Sequence, residues 1–343
     1  MWYMPVVERD IVPDWLLRLF IRWQVRGNLA SFEQTSVAER HARKLDLIDT
    51  FKRSPIAIHA DAANTQHYEL PPEFFQLVLG NQLKYSACYW PDGVTTLDEA
   101  EEAMLELTCE RAGVQDGMTI LDVGCGWGSL SLWIAQHYPN CQVQAVSNSN
   151  TQQAFIQQRA HERNLTNLTV SAANIAEFDT DERFERILSI EMFEHMKNYE
   201  QLMGKIAHWL KPQGRLFVHH FSHRENAYEF DHTDPNNWMA RHFFTGGTMP
   251  SDDLLLYFQR DLTVVNHWRV AGTHYERTLN AWLTRMDDQR DHVKTIMADV
   301  YGVNQALRWF VYWRLFFMGC AEVFGIRRGQ AYFVTHLLFE KCV

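Results

Sequence analysis

The chain has 343 residues, of which 46% are hydrophobic and 22% charged, with a formal net charge of -10 and a mean hydropathy of -0.31. That is enough for a substantial core in one large or two smaller domains. The negative balance argues against a binder of nucleic-acid phosphates, and no run approaches the roughly 18 uncharged apolar residues of a membrane span.

Residues 1–55 read as helical. Glu8, Arg9 and Asp10 follow the start too closely for a basic and apolar leader, so none is expected. Trp15-Leu16-Leu17-Arg18-Leu19-Phe20-Ile21-Arg22-Trp23 is apolar with two arginines. Such a stretch packs on the body of the protein or on a second copy in a homodimer, and it also suits peripheral contact with a membrane. After His67-Tyr68-Glu69, Pro71 and Pro72 start a new helix. A polar and aromatic loop follows over 81–96, and Thr95 or Thr96 then caps an acidic helix to about residue 112. From 118 the texture alternates: strand 118–123, helix 128–137, strand 142–147, helix 151–163, strand 168–172, strand 184–190, helix 198–210 and strand 215–221. Lys211-Pro212-Gln213-Gly214 is the stop signal before the last of these. Residues 225–258 read as an insertion with turns at Asp234-Pro235-Asn236 and Gly246-Gly247, residues 274–318 as mostly helical, and 331–339 as a final strand. The fold expected is α/β, a doubly wound and mainly parallel sheet. The six cysteines are scattered without a C-x-x-C pair, so neither a zinc site nor a disulfide framework is indicated, and a reducing, cytoplasmic setting is the simplest reading.

The strand Met118 to Val123 breaks into Gly124, Gly126 and Gly128, and an apolar helix follows. Such a turn presents bare backbone N–H groups and a helix N-terminus to a ligand. The third glycine comes two residues after the second, whereas a dinucleotide fingerprint places it three after. This spacing resembles motif I of the S-adenosylmethionine methyltransferases. Strand two ends Val146-Ser147-Asn148-Ser149-Asn150 without a carboxylate. Asn148 and Gln152, four apart, supply amides that could take ribose hydroxyls; helix capping by Ser147 or Asn148 is the plainer alternative.

Strand four runs into Glu191-Met192-Phe193-Glu194-His195-Met196, at the sheet edge where the glycine turn also opens. In a helical turn Glu191 and Glu194 would share a face. His219, His220 and His223 end strand five at the same edge, but no Asp or Cys framework supports a metal there. An amine must lose a proton before it attacks a methyl group, and Glu191, Glu194 and His195 suit that task in type and place. Trp238, Phe243, Phe244, Trp268, Trp282, Trp309, Trp313, Phe316 and Phe317 crowd the last third. They either pack helices or wall a pocket for an apolar or cationic amine.

Tyr85-Ser86, Cys88-Tyr89, Thr95 to Ala100, Leu121 to Gly128, Val146 to Ser149 with Gln152, Glu191 to Met196, Val218 to Phe221 and Val334-Thr335-His336 occur in that order. Together they resemble the coclaurine N-methyltransferases, a branch of a wider group that includes cyclopropane-fatty-acid synthases and mycolic-acid methyltransferases. The resemblance implies a seven-stranded methyltransferase sheet, S-adenosylmethionine as cofactor with S-adenosylhomocysteine as its product, and a small-molecule amine as substrate. It divides the chain into a helical extension and covering loop (1–115), a Rossmann-like cofactor core (116–224) and a helical substrate side with the final strands (225–343). It implies that Tyr85 and Ser86 close over the cofactor, Gly124 and Gly126 approach its methionine part, Asn148 and Gln152 take the ribose, Asn174 and Ile175 frame adenine, and Ile190 lines the site. It gives Glu191, Glu194 and His195 to amine binding and deprotonation. Cyclopropane synthases carry a cysteine directly after the Tyr-Ser pair, helping to hold a bicarbonate base; here that residue is Ala87, and Trp313 and Phe316 stand near the expected place of the tyrosine that completes the anion site. An enzyme that cyclopropanates or methylates unsaturated acyl chains is therefore the second reading. A nucleic-acid substrate is not expected, since no Asn/Asp-Pro-Pro-Tyr/Phe run is present.

Overall fold

Local caps fix the helices that lead into the sheet, in a computed structural model that describes residues 3–58, 70–235 and 237–342. His67-Tyr68-Glu69 and Asn236 of the expected turn lie outside the described residues. Helix α1 (Asp14–Gln34) starts behind Pro13. Helix α2 (Val37–Arg53) opens on a capping box, with the Glu39 carboxylate accepting the Ser36 N–H at 3.0 Å and the Ser36 hydroxyl accepting the Glu39 N–H. Helix α3 (Pro72–Val78) begins at the proline pair, and α4 (Leu97–Ala112) begins at Thr96 with a second capping box to Glu99.

The alternation beyond α4 follows the expected order: β1 (Thr119–Val123), α5 (Ser129–His137), β2 (Gln142–Ser147), α6 (Asn150–Glu162), β3 (Leu168–Ala172), β4 (Phe184–Ile190), α7 (Tyr199–Trp209) and β5 (Leu210–His223). The cap of α6 is neither Ser147 nor Asn148 but Ser149, whose hydroxyl accepts from the Gln152 N–H at 3.3 Å. Strand β5 starts earlier than residue 215, because Leu210 already pairs with Phe184 before the strand bulges and Arg215 pairs with Arg186. Within that bulge Gln213 takes the left-handed conformation (φ 63). Gly214 is needed for a different reason: a Cβ there would come within 2.8 Å of the Lys211 carbonyl oxygen.

The insertion after β5 holds a short helix α8 (Trp238–His242) and a two-residue ribbon pairing Tyr228–Glu229 with Thr248–Met249. Strand β6 (Leu262–Ala271) then forms, followed by α9 (Gly272–Asp288), α10 (Arg290–Tyr301), α11 (Ala306–Gly325) and β7 (Tyr332–Lys341). Strand β6 is not among the strands expected from the sequence. Its register shifts between Val264 and Asn266, and that bulge breaks the alternation that would have marked a strand. The sheet has seven strands in the order β3-β2-β1-β4-β5-β7-β6, with β7 antiparallel to both neighbours and every other pairing parallel.

Helix α11 is the core of the C-terminal side. The stretch Val303–Gly329 is long and apolar enough by composition to cross a membrane, which the sequence reading did not find, but 78% of its apolar window is buried inside the protein. Helix α1 lies against α11: Arg18 Nη1 donates to Glu322 at 2.8 Å, and Arg22 pairs with the same carboxylate. The opposite face of α1 leaves Trp15 64% and Trp23 69% exposed, so the Trp15–Trp23 stretch packs on the body along one side only. Arg314 on α11 donates to Asp287 at 2.6 and 2.9 Å and to Asp14 at 2.8 Å, clamping the end of α9 and the start of α1. Replacing Arg314 with Met leaves these carboxylates unpaired. Because Asp287 and Asp14 are themselves partly exposed, urea unfolding should show a loss of about 2 kcal/mol rather than the larger cost of a fully buried pair.

Candidate active site

The carboxyl ends of β1, β2 and β4 surround one cavity. The turn after β1 is tied to the end of β2, since the Gly124 and Cys125 N–H groups both donate to the Val146 carbonyl at 2.9 and 3.0 Å. Gly124 has φ 78, and a Cβ there would meet the Met192 side chain at 2.6 Å. Gly126 has φ 53 and nothing within 4 Å of where its Cβ would be, so its backbone borders open space. Helix α5 starts without a side-chain cap, which leaves its first N–H groups for a ligand.

Tyr85, Ser86, Gly124, Gly126, Asn148, Gln152, Asn174, Ile175 and Ile190, all expected from sequence, line this one cavity. The wall also holds buried polar atoms that have no partner among the described residues. Gln152 Oε1 accepts from the Ser147 hydroxyl at 2.6 Å, while Gln152 Nε2 has no hydrogen bond. Thr108 Oγ1, Trp127 Nε1 and Ser129 Oγ are in the same condition, and all three residues line the cavity. Orphaned polar atoms gathered in one wall form a surface arranged for a polar ligand such as S-adenosylmethionine. Asn174 Oδ1 already accepts from the Ala176 N–H at 3.0 Å and keeps one lone pair. Asp122, to which the sequence reading gave no role, also lines the cavity; burial pushes its carboxyl up to about 6, against a 2.5 Å hydrogen bond from the Ser131 hydroxyl.

Strand β4 ends at Ile190, and Glu191 follows in the left-handed region (φ 49), a costly place for a non-glycine residue. Its Oε1 accepts from the Ala87 N–H at 2.9 Å and lies 3.2 Å from His219 Nε2, and its Oε2 accepts from the Tyr275 hydroxyl at 2.8 Å. Burial raises its proton affinity, while the Lys84 cation, the Ala87 N–H, the Tyr275 hydroxyl and His195 pull the other way. Only Phe193–His195 form a helical turn, so Glu191 and Glu194 do not share a helical face as expected. Glu194 departs further from expectation, for it borders neither this cavity nor the next. Its Oε1 accepts from the Phe221 N–H at 2.8 Å and its Oε2 is buried without a partner. Burial and the nearby Glu191 hold it well above the usual carboxylate range, behind the wall. His195 does border the cavity, and burial pushes it down to about 4, so it is neutral near pH 7.

A second cavity adjoins the first. Aromatic side chains wall it, among them Phe221, Tyr228, Phe244, Tyr275, Trp282 and Phe316, with Val25 and Asn28 of α1 at its edge. Tyr85, Glu191 and His195 line both cavities. The two readings of the aromatic third therefore hold for different residues. Phe244, Trp282 and Phe316 face the cavity, whereas Trp313 packs behind it against Phe243 and Phe317 at 5.2 and 5.7 Å. Tyr275, unmarked in the sequence, places its hydroxyl on the same Glu191 carboxylate that accepts the Ala87 N–H; Trp313 and Phe316 carry no hydroxyl. Among the described residues no group of three His, Cys, Asp or Glu is placed to hold a metal.

Residues 57–334 match the family model described as mycolic acid cyclopropane synthetase. The chain is 40% identical over 339 residues to (S)-coclaurine N-methyltransferase of Thalictrum flavum subsp. glaucum, covering 98% of this chain and 94% of that protein. A crystal structure of coclaurine N-methyltransferase bound to N-methylheliamine and S-adenosylhomocysteine superposes with a TM-score of 0.95 at 39% identity, over 98% of both chains. A cyclopropane synthase from Mycobacterium tuberculosis superposes with a TM-score of 0.69 at 25% identity, over 84% of this chain and 100% of that one. The chain therefore belongs to the mycolic acid cyclopropane synthetase family, within the coclaurine N-methyltransferase branch of these S-adenosylmethionine-dependent methyltransferases.

Proposed function

We propose that this enzyme methylates the nitrogen of a small, ring-bearing amine of the alkaloid kind, with Glu191 holding the ammonium and taking its proton. The observation that carries this reading is the shared wall: Tyr85, Glu191 and His195 border both the cofactor cavity and the aromatic cavity. The relatives that act on coclaurine, and the neighbour that binds N-methylheliamine, support an acceptor of that class.

Bound S-adenosylmethionine supplies an electrophilic methyl group. A secondary amine is protonated near neutral pH and has no lone pair to attack with. The aromatic walls and the Glu191 carboxylate draw the cation to the junction of the cavities. The proton then passes from nitrogen to a wall group, and the freed lone pair forms the new N–C bond as the C–S bond breaks. Of the two wall groups, burial makes Glu191 more basic than an ordinary carboxylate and makes His195 less basic than an ordinary imidazole. Glu191 is therefore the acceptor in this account, His195 orients the amine, and Glu194 supports the strand end from behind.

The acyl-chain reading draws on the exposed Trp15 and Trp23 as a membrane contact. Against it, the Ala87 N–H, the Tyr275 hydroxyl and His219 already surround the Glu191 carboxylate, and a second anion there would be repelled. Mass analysis of lipids from cells making the protein separates the readings: acyl chains heavier by one methylene would favour the acyl reading.

Glu191→Gln should lower kcat by ~100-fold or more, and His195→Ala by ~10-fold, with cofactor affinity little changed. Because Glu191 must be ionised to accept a proton, kcat/KM should fall on the acid side with a midpoint above the ordinary value of 4.5, and Glu191→Gln should lose that limb. Equal activity in both variants would refute the assignment. Gln152→Ala should raise the dissociation constant for S-adenosylmethionine by about tenfold, as expected for loss of a buried hydrogen-bonding group, while kcat stays near that of the parent in calorimetric and turnover assays.

A further inference from the structure

We propose that Arg111, acting through His336 and His219, is a positioning residue that fixes the direction of a hydrogen-bond chain ending on Glu191. This rests on the reading of Glu191 as the proton acceptor. Arg111 lies in the last turn of α4, partly exposed, with its guanidinium 5.2 Å above the Trp268 ring. Its Nη1 is 2.8 Å from His336 Nδ1. His336 Nε2 is 3.0 Å from His219 Nδ1, and His219 Nε2 is 3.2 Å from Glu191 Oε1. The two histidines are direct cross-strand partners on β5 and β7, fully buried, with ring centroids 4.7 Å apart.

The chemistry of the two ends sets every proton between them. A guanidinium has only donors, so His336 Nδ1 must accept. A neutral imidazole then carries its hydrogen on Nε2, which donates to His219 Nδ1. His219 in turn carries its hydrogen on Nε2 and donates to the Glu191 carboxylate, the third donor there beside the Ala87 N–H and the Tyr275 hydroxyl. Burial and the Arg111 and Lys84 cations hold both imidazoles well below their ordinary pKa, in keeping with the neutral form. Arg111 cannot give up its proton in the working pH range. The chain is therefore not a route to solvent; it is a fixed dipole that favours ionised Glu191.

Other groups also face Glu191: Lys84, Tyr85 and Cys88 on the covering loop, Glu194 and His195 on the helical turn, His220 on β5, Tyr275 on α9 and Cys320 on α11. Their contribution stays in place when Arg111 or His336 is changed, so the chain can be tested separately.

The test is the pH profile of kcat/KM for Arg111→Met, Arg111→Lys, His336→Phe and the double variant Arg111→Met with His336→Phe, alongside Glu191→Gln. Losing the chain weakens a donor to the carboxylate, so Glu191 becomes easier to protonate and the acid limb moves to higher pH. The expected shift is about 0.5–1 pH unit for Arg111→Met and for His336→Phe. Groups acting in series do not add, so the double variant should match the singles. Arg111→Lys, which is also donor-only, should restore most of the parent profile. Nitrogen-15 spectra of the histidines in the parent protein give a readout that needs no variant, and should show both rings protonated at Nε2. An unmoved acid limb in the singles, shifts that add in the double variant, or a ring protonated at Nδ1 would each overturn the proposal. If Glu191→Gln keeps the acid limb, Glu191 is not the acceptor and the proposal falls with that reading; a lost limb there beside unmoved singles defeats the chain alone.

Discussion

The site depends on one buried carboxylate. Glu191 sits at the end of a parallel strand in a left-handed conformation, and three elements reach it: the covering loop through the Ala87 N–H, strand β5 through His219 and helix α9 through Tyr275. A charge removed from water is tolerated only when donors surround it. Those donors come from three well-separated parts of the chain, so satisfying Glu191 also brings the loop over the cofactor cavity and sets α9 against the sheet. The same carboxylate then forms part of the wall between the two cavities. The constraint that holds the parts together is thereby also the group to which the proposed mechanism gives the proton.

The other two members of the cluster have different surroundings. Glu194 is one turn away in sequence, yet it is sealed behind the wall, where burial and Glu191 raise its proton affinity. His195 reaches the junction but is held uncharged and weakly basic. Three neighbouring residues of one motif thus stand in three different surroundings, which is why the proposed mechanism gives each a different part. On the cofactor side the division is between backbone and side chain. The glycine turn supplies close approach, and Gln152, Thr108, Trp127 and Ser129 supply polar atoms that the protein itself does not use.

Much of this was legible in the sequence. The periodicity from residue 118 onward gave the strands and helices in order, and the glycine spacing with Asn148 and Gln152 pointed to residues that do line one cavity. What was hidden depended on distance in space. Strand β6 was obscured by a bulge that interrupts its alternation. The placement of Glu194 was hidden because the left-handed turn at Glu191 takes the motif off a single helical face. Tyr275, which bonds Glu191, and His336, which bonds His219, lie 84 and 145 residues beyond Glu191, counting along the chain, and no local pattern marks these pairings. The aromatic third was ambiguous for the same reason, since only the fold decides that Trp282 faces a cavity while Trp313 does not.

The central claim is that the proton leaving the amine stays in the protein, on Glu191. Calorimetric titration of a secondary amine into the protein saturated with S-adenosylhomocysteine, in buffers of different ionisation enthalpy, counts the protons exchanged with solvent on binding. The account predicts almost none for the parent protein near neutral pH, because ammonium and carboxylate enter the complex together, and about one proton released per amine for Glu191→Gln, which can hold only the neutral amine. Release of about one proton by both proteins would contradict it.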